Sequence, residues 1–471
     1  MAHARKLSHS NSKRVGTVLI LSMIFIVIFS ALAISMLTLS STNAQLASNQ
    51  HKVDYALASA GSGLEVERYW LNRVMMPSAT PEPDYLSTIV SLVKDDLIAE
   101  GITNITLSDS GAFAPVVLNS TNGQNFEGQL NIDANSTNTL HVQASGGAGQ
   151  VSRTIGVSFD IDDYKWPIFN YGMATKGPII YSGNPTTLVA NENWEADIYV
   201  ESSGSVIAID IDGNVNFDGD LTIGNPAANV DFDGDVQIAG EHGEDAVDNH
   251  VTIGEDAYVE FPVPDTAHFE TYATGMLIDS STDPNFFGDP NKIGTGNATL
   301  TNAKIVAGTN PTFYCNVTIE GILFIESPNV VIFSSNMALM GIIVGDGDLA
   351  TDPVTDRIDV LGNFASLPYP PGAEFDAIRQ EEGTSIVAPG FAGSFAGNFS
   401  TVEGVIALSG MHFSGNVSAL VKGTFINYSD EPMVVEGNPS MMFDRAGNVK
   451  IPAGFDTYKV LTYNPSSYEE F

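Results

Sequence analysis

Six polar side chains alternate along one short stretch of the sequence and could gather a cation. They occupy every second position: Asp210, Asp212, Asn214, Asn216, Asp218 and Asp220. Alternate side chains of a β-strand share one face, so the spacing predicts a polar face here. A similar stretch follows 15 residues later and carries Asp231, Asp233 and Asp235.

If the second stretch stacks on the first, strands about 4.8 Å apart would form a carboxylate array. Calcium takes about six to eight oxygen ligands, and such an array supplies several. The pattern therefore indicates a candidate calcium site at Asp218, Asp220, Asp233 and Asp235. The alternative is a solvated acidic face whose like charges are screened by ions of any kind. Apart from possible calcium, no cofactor is expected.

Other residues with chemical potential are sparse. His242 and His250 flank an acidic stretch, which indicates either a transition-metal site or a polar loop. Arg357, Arg379 and Arg445 are the few bases available for lyase chemistry, but no spacing ties them to a carboxylate cluster. The sequence contains no nucleophile-elbow, zinc-protease, phosphate-loop or dinucleotide-binding motif. No catalytic residue is predicted.

Composition excludes whole classes of function. The 471 residues carry 19 bases and 56 acids, a net charge of −37, which repels phosphate backbones and excludes a general nucleic-acid binder. A single cysteine, Cys315, excludes an internal disulfide framework and a cysteine-rich zinc site.

The amino-terminal region predicts a membrane anchor. Residues 15–39 contain no charged side chain, and as a helix they would span about 38 Å, enough to cross a bilayer. Bases alone precede this run: Arg5, Lys6, Lys13 and Arg14. The positive-inside rule then predicts a cytoplasmic tail at 1–14 and a periplasmic or extracellular remainder. The alternative is a cleaved signal peptide with Thr42-Asn43-Ala44 as its small-residue site.

The helical pattern continues beyond the apolar run. Apolar residues recur at helical spacing: Val53, Leu57, Ala60, Leu64 and Leu71. This periodicity predicts that one helix continues through 40–75.

Two segments of this region resemble PilX-like minor pilins of type IV pilus systems. They are Arg14-Val15-Gly16-Thr17-Val18-Leu19 and the small-residue stretch from Tyr55 to Glu65. The resemblance implies a bacterial cell envelope protein whose partners are the membrane and other pilin-like helices. It departs from major pilins at Leu21, five residues after Gly16, where those carry a glutamate. Prepilin-peptidase processing after Gly16 is left open, and the alternative is an ordinary single-pass anchor with a stalk.

The rest of the chain is predicted to be mainly β. Residues 76–163 predict a small α+β neck, with a capped helix from Tyr85 to Glu100 and several alternating strands, including 151–161. Residues 164–471 contain repeats of three periods. Leu221–Ile223, Val236–Ile238 and Val251–Ile253 are spaced by 15, Asn316 and Asn336 by 20, and Phe395 and Phe413 by 18.

Short strands at such periods with glycine and asparagine corners predict a large parallel β-helix (solenoid), with a β-sandwich as the alternative. In the period-15 register, Ile238 points inward between Ile223 and Ile253. The expected function is that of a non-catalytic minor pilin or pilus assembly component that presents a β-helix head for assembly or adhesion, with surface glycans as candidate ligands. The alternative is a membrane-anchored β-helix enzyme acting on acidic polysaccharide.

Overall fold

The computed structural model describes residues 14–133, 136–254, 257–349, 354–415, 417–445 and 451–471. It divides the chain into two compact units. The helix–sheet unit contains the described residues up to Tyr164 together with Tyr458–Phe471, and the parallel-sheet unit is Lys165–Thr457. The bases of the predicted cytoplasmic tail before Arg14 lie outside the described residues.

Among its described residues, the helix–sheet unit has two α-helices, α1 (Arg14–Leu71) and α2 (Tyr85–Ala99), and a 3-10 turn at Glu82–Asp84. Its described strands, numbered along the chain, are β1 (Met75–Pro77), β2 (Ala112–Asn119), β3 (Gln124–Ile132), β4 (Thr139–Ala148), β5 (Val151–Asp163) and β32 (Tyr458–Glu470). They form one antiparallel sheet, sheet I, in the order β1-β32-β5-β4-β3-β2.

The predicted domain boundary differs from the structure at the carboxyl end. Residues 164–471 were expected to form one repeat domain, but β32 pairs with β5 in sheet I. The parallel-sheet unit is therefore inserted in the sequence between two neighbouring strands of sheet I. The predicted helix at 85–100 is confirmed, and so is the predicted strand at 151–161.

The first part of the parallel-sheet unit contains β6 (Met173–Thr175), β7 (Ile179–Ala190), β8 (Ile198–Val200), β9 (Ile207–Phe217), β10 (Leu221–Ile223), β11 (Asn229–Asp233), β12 (Val236–Ile238), β13 (Glu241–His242), helix α3 (Gly243–His250) and β14 (Val251–Ile253). Short 3-10 helices lie at Pro167–Asn170 and Asn193–Ala196.

The second part contains β15 (Leu277–Ile278), β16 (Asn297–Ile305), β17 (Thr312–Phe313), β18 (Asn316–Ile325), β19 (Val330–Phe333), β20 (Met337–Gly345), β21 (Arg357–Val360), β22 (Phe364–Ser366), β23 (Thr384–Ala388), β24 (Ala392–Phe395), β25 (Thr401–Val402), β26 (Val405–Leu408), β27 (Met411–Phe413), β28 (Ser418–Val421), β29 (Phe425–Asn427), β30 (Met433–Glu436) and β31 (Ser440–Phe443). Its 3-10 helices are Ala267–Tyr272, Pro284–Phe287, Ala373–Phe375 and Ile378–Gln380.

These strands form two large sheets whose neighbours are parallel, apart from the antiparallel pair β12–β13. Sheet II runs β14-β10-β8-β6-β29-β26-β23-β20-β18-β16-β15, and sheet III runs β13-β12-β9-β7-β30-β27-β24-β21-β19-β17. The chain first enters the two sheets near their middles, at β6 and β7, and its next strands continue outward to β14 and β13. It then starts again at the opposite edges, with β15 and β17. The last strands, β29, β30 and β31, then pair with the first, β6 and β7.

The predicted periods of 20 and 18 are confirmed as strand registers. Val317 pairs with Met337 across β18 and β20, and Phe395 pairs with Phe413 across β24 and β27. Equivalent aromatic rings stack where such registers repeat: the centroids of Phe395 and Phe413 lie 5.3 Å apart. Side chains of successive strands therefore fill the interior between sheets II and III as continuous columns.

The predicted register of the period-15 repeat is wrong. Ile223 pairs directly with Ile253 in sheet II, whereas Ile238 pairs with Phe217 in sheet III. Successive repeats alternate between the two sheets: Leu221–Ile223 and Val251–Ile253 lie in sheet II, and Val236–Ile238 lies in sheet III. Ile238 is nonetheless fully buried, as predicted, while Ile253 at the edge of its sheet is 40% exposed.

A glycine column marks one corner of the stack. Gly183, Gly213 and Gly234 occupy successive strands or turns, each with positive φ (137° at Gly213). A Cβ on Gly213 would overlap the carbonyl oxygen of Gly183, and a Cβ on Gly234 would overlap that of Gly213. The backbone can turn and stack this closely only without side chains.

We expect Gly213→Ala to destabilise the parallel-sheet unit. The backbone conformation alone costs an L-residue about 1–3 kcal/mol, and the overlap with Gly183 adds to that cost. Gly204→Ala is the matched control, since a Cβ there meets no atom within 4 Å. Thermal unfolding of the full-length protein should show a lower melting temperature for Gly213→Ala only; equal melting temperatures would contradict the stacked corner.

Candidate functional site

The amino-terminal half of α1 presents an uncovered apolar surface. Every described side chain from Val18 to Lys52 is exposed, including the large apolar residues of the predicted span. By length and composition this helix can cross a membrane, although a signal sequence has the same properties. The hydroxyls of Ser35 and Thr38 donate to the carbonyls of Ala31 and Ile34 at 2.8 Å, so these polar groups are satisfied within the helix. Such a surface suits an apolar environment.

The carboxyl-terminal half of α1 packs on sheet I through small residues. Ala56 and Ala60 are fully buried, and a Cβ on Gly146 of β4 would overlap their backbone. At Gly63 a Cβ would lie 2.6 Å from Cδ2 of Phe126 in β3. The small-residue stretch that resembles PilX-like pilins therefore has a structural role here, since it brings the helix backbone against the sheet.

The predicted apolar face of this half is confirmed. Ala60, Leu64 and Leu71 are buried, and Leu57 packs on the same core cluster. The helix ends at Leu71, within the predicted extension to residue 75.

One carboxylate lies within this packed face. Glu67 is fully buried, and neither of its carboxylate oxygens has a hydrogen-bond partner among the described residues. Burial therefore raises the pKa of Glu67 well above its ordinary value. A Cβ on Gly128 of β3 would overlap Oε1, so the sheet leaves room for this side chain only at a glycine.

The sequence analysis did not single out Glu67, although a signal exists. Its position continues the buried series of Ala60, Leu64 and Leu71 at helical spacing. An acidic residue on an apolar stripe is a detectable exception.

The four aspartates of the predicted calcium site do not stack as expected. Asp233 pairs across the strands with Asp212 rather than with Asp218. Asp218 Oδ2 accepts a hydrogen bond from the backbone N–H of Ala190 at 3.1 Å. The prediction that the four aspartates form one patch assumed the period-15 register, in which Asp233 lies beside Asp218. The observed register does not place these two side chains beside each other.

The two remaining aspartates pair with the histidines. Asp220 Oδ1 lies 2.8 Å from Nδ1 of His250, and Asp235 Oδ1 lies 3.0 Å from Nδ1 of His242. These histidines border α3, so the interruption is a short helix rather than a polar loop. Within the described ranges, no three histidine, cysteine, aspartate or glutamate side chains gather as a metal site would require.

The arginines considered for lyase chemistry are each held by neighbouring groups. Arg357 pairs with Asp359 at 2.9 Å, and Arg379 pairs with Asp376 at 2.6 Å. Arg445 is buried; it donates to the carbonyls of Phe169 and Asn170 and lies over the ring of Trp194. Its guanidinium therefore joins segments of the fold.

A cleft of about 470 Å³ on the parallel-sheet unit carries charged residues that the sequence analysis missed. Its lining includes Glu381, Glu403 and Lys422. Lys422 Nζ lies 3.3 Å from Oε1 of Glu403, and Glu381 accepts a hydrogen bond from the hydroxyl of Tyr272 at 2.7 Å. Sequence spacing gives no signal for this cleft, because its residues come from separate strands and loops.

Comparison with known proteins adds a weak structural similarity. No family model and no curated protein matches the chain. Among solved structures, it is similar to the competence-associated pilin ComZ from Thermus thermophilus, with 13% identity, 89% of this chain and 97% of that chain covered, and a TM-score of 0.23. A TM-score this low supports no conclusion about a shared fold or function.

We expect Glu67 to make the stability of the helix–sheet unit fall as pH rises. The pKa of Glu67 is raised in the folded state, so above the ordinary glutamate value of about 4.3 the unfolded chain releases a proton that the folded chain keeps. Stability is lost across that window until the folded pKa is reached.

Glu67→Gln keeps the side-chain shape and removes the titration. Thermal unfolding of the full-length protein from pH 4 to pH 8 should show a shallower decline for this variant, and a higher melting temperature at neutral pH. Parallel pH profiles for the two proteins would contradict an ionisable group buried without partners.

Proposed function

We propose that this chain is a non-catalytic envelope protein that acts as a minor pilin or pilus assembly component. In this proposal α1 anchors the protein in the membrane and packs with other pilin-like helices, and the parallel-sheet unit is a β-solenoid presented outside the cell for assembly or adhesion. The observation that carries the proposal is the two-part character of α1. One continuous helix is apolar and uncovered in its first half and packed on an antiparallel sheet in its second.

Physical reasoning connects this geometry to assembly. An exposed apolar helix is stable either among lipids or among similar helices, because both keep its surface from water. The second half fixes the helix firmly to sheet I through buried small residues. A helix held in this way can exchange lipid neighbours for helix neighbours without the rest of its unit unfolding. The resemblance of residues 14–19 and 55–65 to PilX-like pilins supports the same role.

The alternative of an enzyme acting on acidic polysaccharide has less support. The charged cleft carries the carboxylates of Glu381 and Glu403, which would repel an anionic chain. Its bases, Lys422 and Arg445, are engaged by Glu403 and by backbone carbonyls. A lyase needs a free base beside the substrate carbon, and these contacts occupy the candidates.

We expect the full-length chain to stay membrane-bound with its carboxyl terminus outside. Ala44→Leu is the diagnostic variant, because signal peptidase requires a small residue before the cleaved bond. If α1 is an anchor, fractionation and protease accessibility will give the same membrane-bound product for wild type and variant. A soluble wild-type product beginning near Gln45, retained in the membrane by Ala44→Leu, would show that the segment is a signal peptide.

We also expect a cysteine in the apolar half of α1 to form cross-links with other pilin-like helices in cells. The native Cys315 is only 3% exposed, so its background reactivity is low. Leu37→Cys is the probe, at a side chain 76% exposed, and Ile98→Cys on α2, 75% exposed, is the matched control. A benzophenone maleimide attached to the introduced cysteine and then activated by light should link only Leu37→Cys to another helix, since the photoreaction inserts into C–H bonds and needs no thiol on the partner; no adduct at Leu37 would contradict assembly without contradicting the anchor.

A further inference from the structure

One end of the parallel-sheet unit leaves a strand edge uncovered. Among the described residues, β11 pairs with β9 on one side and with no strand on the other. Alternate residues of an edge strand direct their backbone N–H and C=O groups away from the sheet. The outer side of β11 is therefore able to accept a further strand.

Helix α3 caps only part of this end. Its Ala246 is 1% exposed, and the helix contacts β12, β13 and β14. β12 is further protected by its antiparallel pairing with β13, where Gln237 lies opposite His242. No comparable element covers β11 within the described ranges, so the outer edge of β11 is open although β12, beside the same strand β9, is protected.

A cavity lies between β11 and α3. Its volume is about 820 Å³, and its lining includes Val230 and Phe232 of β11, Val236 of β12, and Ala246 and Val247 of α3. Val230 and Phe232 are half-buried and pack against the interior core. The core thus continues to the surface here, with room for further apolar side chains.

The rim of this cavity is acidic. On β11, Asp231 and Asp233 are exposed and alternate with the half-buried Val230 and Phe232. Asp235, Glu244 and Asp248 also line the cavity, and the only cationic candidate in that lining, His242, already faces Asp235 at 3.0 Å. A second copy of this chain would bring like charges together, since the net charge is −37.

We propose that β11 is the docking edge for an extended segment of a partner protein in which apolar and basic residues alternate. The segment adds as a strand beside β11. Because alternate side chains of neighbouring strands share faces, its apolar residues enter the cavity beside Val230 and Phe232, and its basic residues face Asp231 and Asp233. This proposal is independent of the pilin role proposed above.

The first test uses the full-length protein in detergent and a fluorescent peptide of sequence Lys-Val-Lys-Val-Lys-Val-Lys. Anisotropy should detect binding of this peptide. The same peptide with alternate backbone nitrogens methylated keeps its charge and side chains but cannot pair along one edge. It should bind at least about tenfold more weakly, since it loses several backbone hydrogen bonds. Equal affinity of the two peptides, or no binding of the first, overturns the proposal.

The second test reverses the rim charge. Asp231→Lys with Asp233→Lys should weaken binding of the unmethylated peptide at least about tenfold, because like charges then oppose each other. The matched control, Asp95→Lys with Glu127→Lys, makes the same net charge change at exposed positions of the helix–sheet unit. An equal loss in the control would mean that the peptide follows net charge alone, which overturns the assignment to β11. The methylated-peptide comparison needs no variant, so equal affinity of the two peptides overturns the proposal even if the reversed protein fails to fold.

Discussion

The fold of the parallel-sheet unit depends on the pairing of its last strands with its first. β29 lies beside β6, and β30 and β31 lie beside β7, so the two runs of strands form continuous sheets. Without these pairs, each run would end in a strand with unpaired backbone groups and an open apolar interior, both of which are costly. The same pairing explains how the long parallel-sheet unit can be inserted in the sequence between two strands of sheet I, because the first and last strands of the inserted unit are spatial neighbours.

In the helix–sheet unit the equivalent constraint is close approach. Gly63, Gly128 and Gly146 allow α1 to lie against sheet I at distances that a Cβ would prevent. Tight contact excludes water, which makes the isolated carboxylate of Glu67 expensive to ionise. The same packing that fixes the helix therefore creates a group whose charge state is linked to stability.

The sequence predicted some features well and misled on others for identifiable reasons. Alternation and the 20- and 18-residue periods were reliable because each of those repeats brings the chain to the neighbouring parallel strand of the same sheet, as Val317 and Met337 illustrate. The 15-residue repeat was misleading because sequence similarity records equivalent environments, and Ile223 and Ile238 occupy equivalent positions in different sheets. β32 was unpredictable from local pattern, since the whole inserted unit separates it in sequence from its partner β5. The stacking assumed for the candidate calcium site depended on that register, and Asp233 lies beside Asp212 instead of Asp218. The buried face of α1 needed only helical periodicity.

The acidic edge at β11 has two physical explanations that differ in what they require. Charged residues on an edge strand prevent aggregation, and Asp231 and Asp233 could serve that purpose alone. Protection of an edge strand against aggregation, however, requires only charged side chains, and an apolar cavity beside the same strand weakens that protection. Here Val230 and Phe232 remain half-buried beside such a cavity, although α3 shows that the chain can cap neighbouring strands. The carboxylates of this edge repel an acidic strand, and a neutral strand would desolvate them without compensation. An edge of this kind that keeps apolar space selects for a basic partner strand, because that partner offsets the desolvation of the carboxylates while filling the cavity.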